Sequence, residues 1–398
     1  MMTRITDARL SDARTQAVLR ALTGAGHQAW FVGGCVRNAL LGLPVSDIDI
    51  ATDALPDHVM VLAARAGLRP VPTGLPHGTV TVVSGGVAHE VTTFRRDVQT
   101  DGRRAVVAFS GTIREDARRR DLTINALYAG ADGYVRDPTG KGLADLKARR
   151  VRFIGDAGGR IREDYLRILR FFRFYAWYGG RGRGPDADGL AACAANAAGM
   201  KALSSERVGA EMLKLLAAPD PSPAMAVMAG AGVLAHVLPG AVATWLPGLV
   251  AAEAAAGAGP DPLRRLAAIY GEGDGGDVAA RLRLSRAETR RLRLLNDWAG
   301  QAAAGAAELG YRLGESAALD VVLLRAALSG QMPGDGVAVV TEAIPAIRSG
   351  ARATFPVRAG DLAPRLSGPA LGAALRRLET DWIRSGFTLD RAALLARL

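Results

Sequence analysis

The first half of the chain switches repeatedly between a period near 3.6 and a period of two in its apolar positions. Ser11 to Ala25 repeats at helical spacing and meets Gly24 and Gly26, so a helix is predicted there. Ala29-Trp30-Phe31-Val32, Gly33-Gly34 and Cys35 to Gly42 predict a strand, a glycine turn and a short helix. Gly42-Leu43-Pro44 ends that helix and leads into Val45-Ser46-Asp47-Ile48-Asp49-Ile50, a predicted strand. Leu55-Pro56-Asp57 opens a helix to about Ala66, and Pro70 to Gly78 reads as a turn-rich link. The β-branched runs His77 to Val83 and Val87 to Phe94 predict a hairpin turning at Gly85-Gly86. Arg95 to Arg120 reads as loop with a turn at Asp101-Gly102-Arg103-Arg104, and Asp137 to Leu146 as a turn followed by a helix start. Ile161 to Phe174 predicts one largely buried helix, and from Pro185 onward the pattern is helical with Ala-rich faces.

Candidate chemistry sits on these elements. A strand at Val45–Ile50 puts Asp47 and Asp49 on one face and Ile48 and Ile50 on the other. Two carboxylates at that spacing form either a solvated acidic edge or an oxygen-ligand site for Mg²⁺. Paired glycines at a helix start let backbone N–H groups approach an anion, and Arg37 falls in the first turn beside Gly33 and Gly34. Glu90, in the returning strand of the hairpin, is either a third carboxylate for the site or a surface residue. On the Ile161–Phe174 helix, Asp164, Arg167, Arg170 and Arg173 are spaced by three and form a slanted ridge. Arginines on a buried helix need anions or bases as partners. Asp164 and Arg167 are either an i, i+3 salt bridge or an acceptor beside a donor, which complements the Watson–Crick edges of C and A and not those of U and G.

Composition narrows the setting. A chain of 398 residues can hold two to four subdomains. The net charge is +11, and between Arg95 and Arg183 stand 21 Lys and Arg against 11 Asp and Glu, a local balance of +10 that suits a polyanion. Two cysteines, Cys35 and Cys193, supply neither a disulfide framework nor a zinc site and suggest a reducing cytoplasm. No signal peptide is expected from the polar N-terminal residues. The stretch from Asp220 to Glu253 has no charged residue between its ends, but prolines and glycines cut it into short buried helices and no bilayer span is expected.

Gly-Gly-x-x-Arg (Gly33 to Arg37) followed by Asp-x-Asp (Asp47 to Asp49) resembles the signature of the nucleotidyltransferase class that contains bacterial tRNA CCA-adding enzymes and poly(A) polymerases. Arg119-Arg120-Asp121-x-Thr123-x-Asn125-Ala126, Asp137 to Leu146, and Glu163-Asp164-x-x-Arg167-x-x-Arg170-x-x-Arg173 resemble its further motifs. The resemblance covers nearly the whole chain, with specific motifs from about Phe31 to Phe174. It implies an α+β fold: a DNA polymerase β-like nucleotidyltransferase head with a mixed sheet, then an all-α neck, body and tail. The expected bounds are 1–147 for the head, 148–217 for a nucleotide-selecting, RNA-binding neck, 218–330 for the body and 331–398 for a tRNA-gripping tail. It implies Asp47 and Asp49 as metal ligands for Mg²⁺ and, with Glu90, as the catalytic carboxylates. It implies nucleotide contacts at Gly33, Gly34, Arg37, Arg120, Asp121, Asn125, Asp164, Arg167, Arg170 and Arg173, with Asp121 and Asn125 on one helical face. The implied reaction is template-independent, two-metal addition of CCA to tRNA 3′ ends from CTP and ATP, in the cytoplasm and with no obligate protein partner.

The chain departs from the pattern at three points. Asn38 stands where Asp commonly follows the Arg, Tyr165 replaces the usual Pro, and no His-Asp dipeptide marks an added phosphohydrolase domain. Rival readings are a poly(A) polymerase, an enzyme adding only CC or only A, a non-catalytic RNA-binding protein and a small-molecule nucleotidyltransferase.

Overall fold

The computed structural model describes residues 3–101, 104–180, 182–270, 275–301, 303–329, 333–363 and 365–398. The backbone divides into two compact units, Met1–Glu211 with Val227–Val237, and Met212–Ala226 with Leu238–Leu398.

The first unit opens with α1 (Ala8–Ser11) and α2 (Ala13–Thr23). The helix expected from Ser11 is split because the Asp12 carboxylate caps α2, accepting from Arg14 N at 2.8 Å. β1 (Ala29–Val32) feeds α3 (Gly34–Leu41), which ends on Gly42 at φ 66°. β2 spans Asp49–Thr52, so Asp47 and Ile48 precede the strand instead of lying within it. The alternation persists all the same: Ile48 and Ile50 are buried, Asp47 is exposed and Asp49 is half-buried. α4 (Pro56–Arg65) follows.

The expected link from Pro70 is instead a strand, β3 (Arg69–Gly74), antiparallel to β4 (Thr79–Ser84). β3 lies at the sheet edge, where Pro70 and Pro72 remove no ladder donor the sheet requires. β4 and β5 (Val87–Thr93) form the expected hairpin. The stretch expected to be loop from Arg95 holds a two-stranded ribbon, β6 (Arg95–Asp101) and β7 (Arg104–Phe109). Gly102 and Arg103 of the expected turn lie outside the described residues. α5 (Ile113–Arg118), β8 (Tyr128–Ala129) and β9 (Val135–Arg136) complete a sheet of order β3-β4-β5-β2-β1-β8-β9. It is mixed: β2 and β5 run parallel, and the other pairs are antiparallel.

Burial fixes this register. Ile50, Val80, Val82 and Val91 are fully buried from the strands, and Val18, Leu19 and Leu22 pack from α2. A second cluster joins Val32, Ala51, Phe94, Ala117, Ala126 and Tyr128. Sliding a strand by one residue would move its buried side chains to the opposite face of the sheet and break both clusters.

After the sheet come α6 (Gly142–Lys147), α7 (Ala157–Glu163), α8 (Leu166–Tyr178), α9 (Ala187–Asn196) and α10 (Ser205–Leu216). The single helix expected over Ile161–Phe174 is therefore two. Asp164, at φ −156° and ψ 105°, breaks it, and its carboxylate accepts from Leu166 N at the start of α8.

The second unit is helical. Helices Ala306–Leu328 and Pro333–Arg352 touch through their backbones at two glycines. A Cβ on Gly310 would stand 2.1 Å from Ile347 O, and one on Gly350 would stand 1.8 Å from Ala307 O. Within the charge-free stretch, of which Val227–Val237 belongs to the first unit, the helices are short (Ser222–Gly230, Val233–Val237, Leu246–Ala255), and no helix among the described residues is long and apolar enough to cross a membrane. Glu253, which ends that stretch, is buried between Arg264 and Arg265 at 2.8 Å each. Arg264 also reaches Asp320 at 2.5 Å. Phe355, Trp382, Phe387 and Tyr311 form an aromatic cluster near the end of the chain.

Candidate active site

β2 and β5 are parallel neighbours, and their register sets Asp49 opposite Glu90. Glu90 N also donates to Ile48 O at 3.2 Å, which ties the segment leading into β2 to β5. Asp49 has a pKa raised to about 6, first by burial and then by the charges of Glu90 and Asp47, with Arg120 opposing. The two aspartates and Glu90 thus share one electrostatic site. Among the described residues no three or more His, Cys, Asp or Glu side chains form a ready-made metal cage. Mg²⁺ needs only one or two protein carboxylates, and a cation there would relieve the repulsion that raises Asp49, so the donor set fits a hard divalent ion.

Arg120 is aimed at this region by a buried tether. Its Nη2 donates to Asp116 Oδ2 at 3.1 Å and its Nε to Tyr128 Oη at 3.2 Å, while Tyr128 donates to the same Asp116 oxygen at 2.6 Å. Burial raises the Asp116 carboxyl, but Arg120, Arg119 and the Tyr128 hydroxyl outweigh it and hold it at about 2. Arg120 Nη1 lies 3.5 Å from where a Cβ on Gly33 would stand, and Gly33 itself adopts φ +73°. Glycine is required there by conformation, and it leaves the start of α3 open beside a guanidinium.

Arg37 lies in the first turns of α3 and is 6% exposed. It donates through Nη1 to Asn125 Oδ1 at 2.5 Å, through Nη2 to Tyr178 Oη at 2.7 Å, and through Nε and Nη2 to Asn38 Oδ1 at 3.2 and 2.9 Å. Its guanidinium stacks on the Tyr178 ring at 4.0 Å. Asn38 Nδ2 donates in turn to Pro44 O at 2.9 Å, ahead of Asp47.

The expectation that Asp121 and Asn125 share a helical face is corrected. Thr123–Asn125 is a single 3₁₀ turn, and Leu122 is extended and bridges to Phe153. Asp121 and Asn125 still meet, at 3.5 Å. Burial raises Asp121, but Arg170, whose Nε donates to it at 2.5 Å, holds it at about 2. Arg173 pairs with Glu211 at 2.6 Å, which also lies 3.9 Å from Arg170.

Asp164 and Arg167 do not form the i, i+3 salt bridge. Asp164 Oδ2 accepts from Arg207 at 2.6 Å, whereas Arg167 Nη1 donates to Glu163 and, at 2.7 Å, to Arg160 O. Arg160 anchors that group by donating to Arg119 O and, at 2.9 Å, to Arg120 O. Cavities of about 490 and 480 Å³ lie nearby, the first lined by Arg118, Arg160 and Glu163, the second by Lys141, Arg152 and Asp186. Neither is lined by Asp47 or Asp49.

Sequence reasoning missed Asp116, Tyr128, Tyr178, Arg207 and Glu211. Asp116 stands four residues before Arg120, a readable i, i+4 signal. The Arg37–Tyr178 contact spans 141 residues and left no local trace.

A mixed sheet bearing paired aspartates, a glycine-opened helix and a tethered arginine, followed by helices, defines a nucleotidyltransferase head with a helical extension. Residues 29–152 match the Poly A polymerase head domain, and 186–244 match the family described as "Probable RNA and SrmB- binding site of polymerase A". The chain is 32% identical to the CCA-adding enzyme of Limosilactobacillus fermentum over 95% of its own length and 94% of that protein. It is 38% identical to mouse mitochondrial CCA tRNA nucleotidyltransferase 1 and 40% to the CCA-adding enzyme of Geobacillus thermodenitrificans. Those two matches span 61% and 54% of the relatives' lengths. The solved structure of the Bacillus stearothermophilus CCA-adding enzyme in complex with CTP superposes with a TM-score of 0.72 at 27% identity, covering 94% of this chain and 92% of that one. The chain belongs to the family of CCA-adding enzymes.

Proposed function

We propose that the protein adds CCA to the 3′ end of tRNA from CTP and ATP without a nucleic-acid template. The observation that carries this reading is the pairing of Asp49 with Glu90 across parallel strands, beside Asp47 and Arg120, in a chain similar end to end to a CCA-adding enzyme.

In this reading Asp47 and Asp49 hold Mg²⁺. Ions held there would supply Lewis acidity for two-metal phosphoryl transfer. Glu90 keeps a third negative charge beside Asp49. Gly33 and Gly34 let backbone N–H groups approach the phosphates, with Arg120 across the opening and Arg37 behind it. Asp121 and Asn125 hold the sugar or the local backbone, the latter through Arg170, Leu122 N and Arg37. Arg170 and Arg173, braced by Asp121 and Glu211, add positive charge along α8.

Asp164 and Arg167 read the base. Arg207 and Leu166 N each donate to one oxygen of Asp164, and each oxygen keeps a further lone pair. Among the described residues the hydrogen bonds of Arg167 use Nη1, and Nε and Nη2 are the donors that would face a base edge. An acceptor and a donor fixed separately accept C and A and refuse U and G. The two cysteines are free and buried, consistent with a reducing cytoplasm.

The test supplies purified protein and Mg²⁺ with tRNA lacking its 3′ end and with CTP, ATP or both, and sequences the products. Addition of C, C and A followed by a stop supports the reading. Long A tails from ATP alone would instead make the protein a poly(A) polymerase. RNA bound without incorporation would make it a non-catalytic RNA-binding protein.

A further inference from the structure

Arg37 is a buried cation whose hydrogen-bond partners are all neutral. Asn38, Asn125 and the Tyr178 hydroxyl take its donors, and the rings of Tyr178 and Phe174 lie against its face at 4.0 and 5.2 Å. Among the described residues no carboxylate lies within ion-pair distance of it, whereas the neighbouring Arg120, Arg170 and Arg173 each have one. A buried guanidinium without a counter-charge is costly, and hydrogen bonds alone orient it without neutralising it. The nearby positive charge of Arg173 adds to that cost, and Asp121, which lies beyond ion-pair distance, offsets only part of it. The arrangement therefore keeps a fixed positive charge available to an anion.

The residue beside Arg37 explains how. The Asn38 side chain does two jobs at once: its Oδ1 accepts from Arg37, and its Nδ2 donates to Pro44 O. An aspartate at this position would keep the first contact and add a counter-charge. It would also set an oxygen against the Pro44 carbonyl, because it has no donor to offer. With Asn at 38, the ionic anchor for Arg37 is absent and Tyr178 supplies the orientation through hydroxyl and ring.

We propose that Tyr178 is a positioning residue for nucleotide binding, anchoring Arg37 in place of a carboxylate at position 38 and leaving its charge for the phosphates of the incoming nucleotide. This rests on the reading of Arg37 as part of the nucleotide site. It makes the last residue of α8 a determinant of affinity, at the far end of the helix from Asp164 and Arg167.

The test measures equilibrium binding of CTP, ATP and inorganic tripolyphosphate to wild type, Tyr178→Phe, Asn38→Asp and the double variant, together with steady-state kinetics and melting temperature. Tyr178→Phe keeps the ring and loses the acceptor. It is expected to weaken all three ligands about tenfold, the scale of one hydrogen bond to a charged group, and to raise KM with kcat within about twofold. Adding Asn38→Asp is expected to recover part of that loss, so the two changes are non-additive when Asn38→Asp alone is the reference. The proposal is overturned if Tyr178→Phe binds all three as wild type does. It is also overturned if binding and melting fall together with no recovery in the double variant, the mark of a purely structural role. Wild type that binds CTP but adds no nucleotide would sink the proposed function and leave this inference standing on the binding data. Wild type that binds none of the three would overturn both.

Discussion

Arg207 and Asp164 form an ion pair at 2.6 Å that joins the start of α10 to the break between α7 and α8. Asp164 is thereby fixed from outside its own helix, and its position does not depend on Arg167. Asp164→Ala is expected to lose discrimination against UTP and GTP while still incorporating nucleotides. Arg207→Ala, which frees the carboxylate without removing it, should relax base choice less, by about tenfold for one charge-assisted contact. Competition assays with all four nucleotides check both, and full discrimination in Asp164→Ala would defeat the base-reading role.

Asp49→Asn separates chemistry from stability. Turnover should fall about a thousandfold, the scale of several kcal/mol of lost charge stabilisation. The fold should not suffer. With a pKa raised to about 6, Asp49 favours the folded state fully only below 3.8, and that contribution is lost as pH rises through about 6. Above that pH the ionised group opposes folding, so in metal-free buffer at pH 7.5 the variant should melt no lower than wild type.

His89 carries a second pH dependence of opposite sign. It is fully buried, bonded to Thr15 Oγ1 at 2.9 Å and to Val82 O at 3.2 Å, and burial lowers its pKa below the ordinary 6.5. Below pH 6.5 the unfolded chain takes up a proton that the folded chain refuses, so stability falls as pH drops, with a slope of up to about 1.4 kcal/mol per pH unit. His89→Gln should flatten denaturant-midpoint curves between pH 6.5 and 5, and an unchanged slope would refute the assignment.

Glu253→Gln should be among the most destabilising single changes in the second unit. It leaves Arg265, 1% exposed, and Arg264 without the carboxylate they share. Removing one partner from a buried ion network costs about 3–5 kcal/mol, readable by chemical denaturation.

Much of the sheet was legible because period and turn chemistry agreed: the β4–β5 hairpin needed only β-branched runs and Gly85-Gly86. β3 was missed because Pro70 and Pro72 argue against a strand everywhere except at an edge, and edge position is a tertiary fact. The break at Asp164 was missed because the apolar pattern continues through it, while capping by Asp164 decided the local geometry. The carboxylates and arginines were visible as motifs. Their anchors were not, since Tyr178 and Arg207 reach them across 141 and 43 residues with no periodicity linking the two ends.

The parallel pairing of β2 with β5 has a consequence for the making of the protein. Asp49 meets Glu90 only after α4, β3 and β4 have been laid down between them, because parallel neighbours cannot be joined by a tight turn. The carboxylate site therefore arises from long-range pairing, which forms slowly compared with local helices. A chain emerging from the ribosome holds Asp47 and Asp49 for some time before β5 arrives. During that interval Asp49 lacks the partner strand that gives it its place, so assembly of the first unit itself governs when the site comes into being.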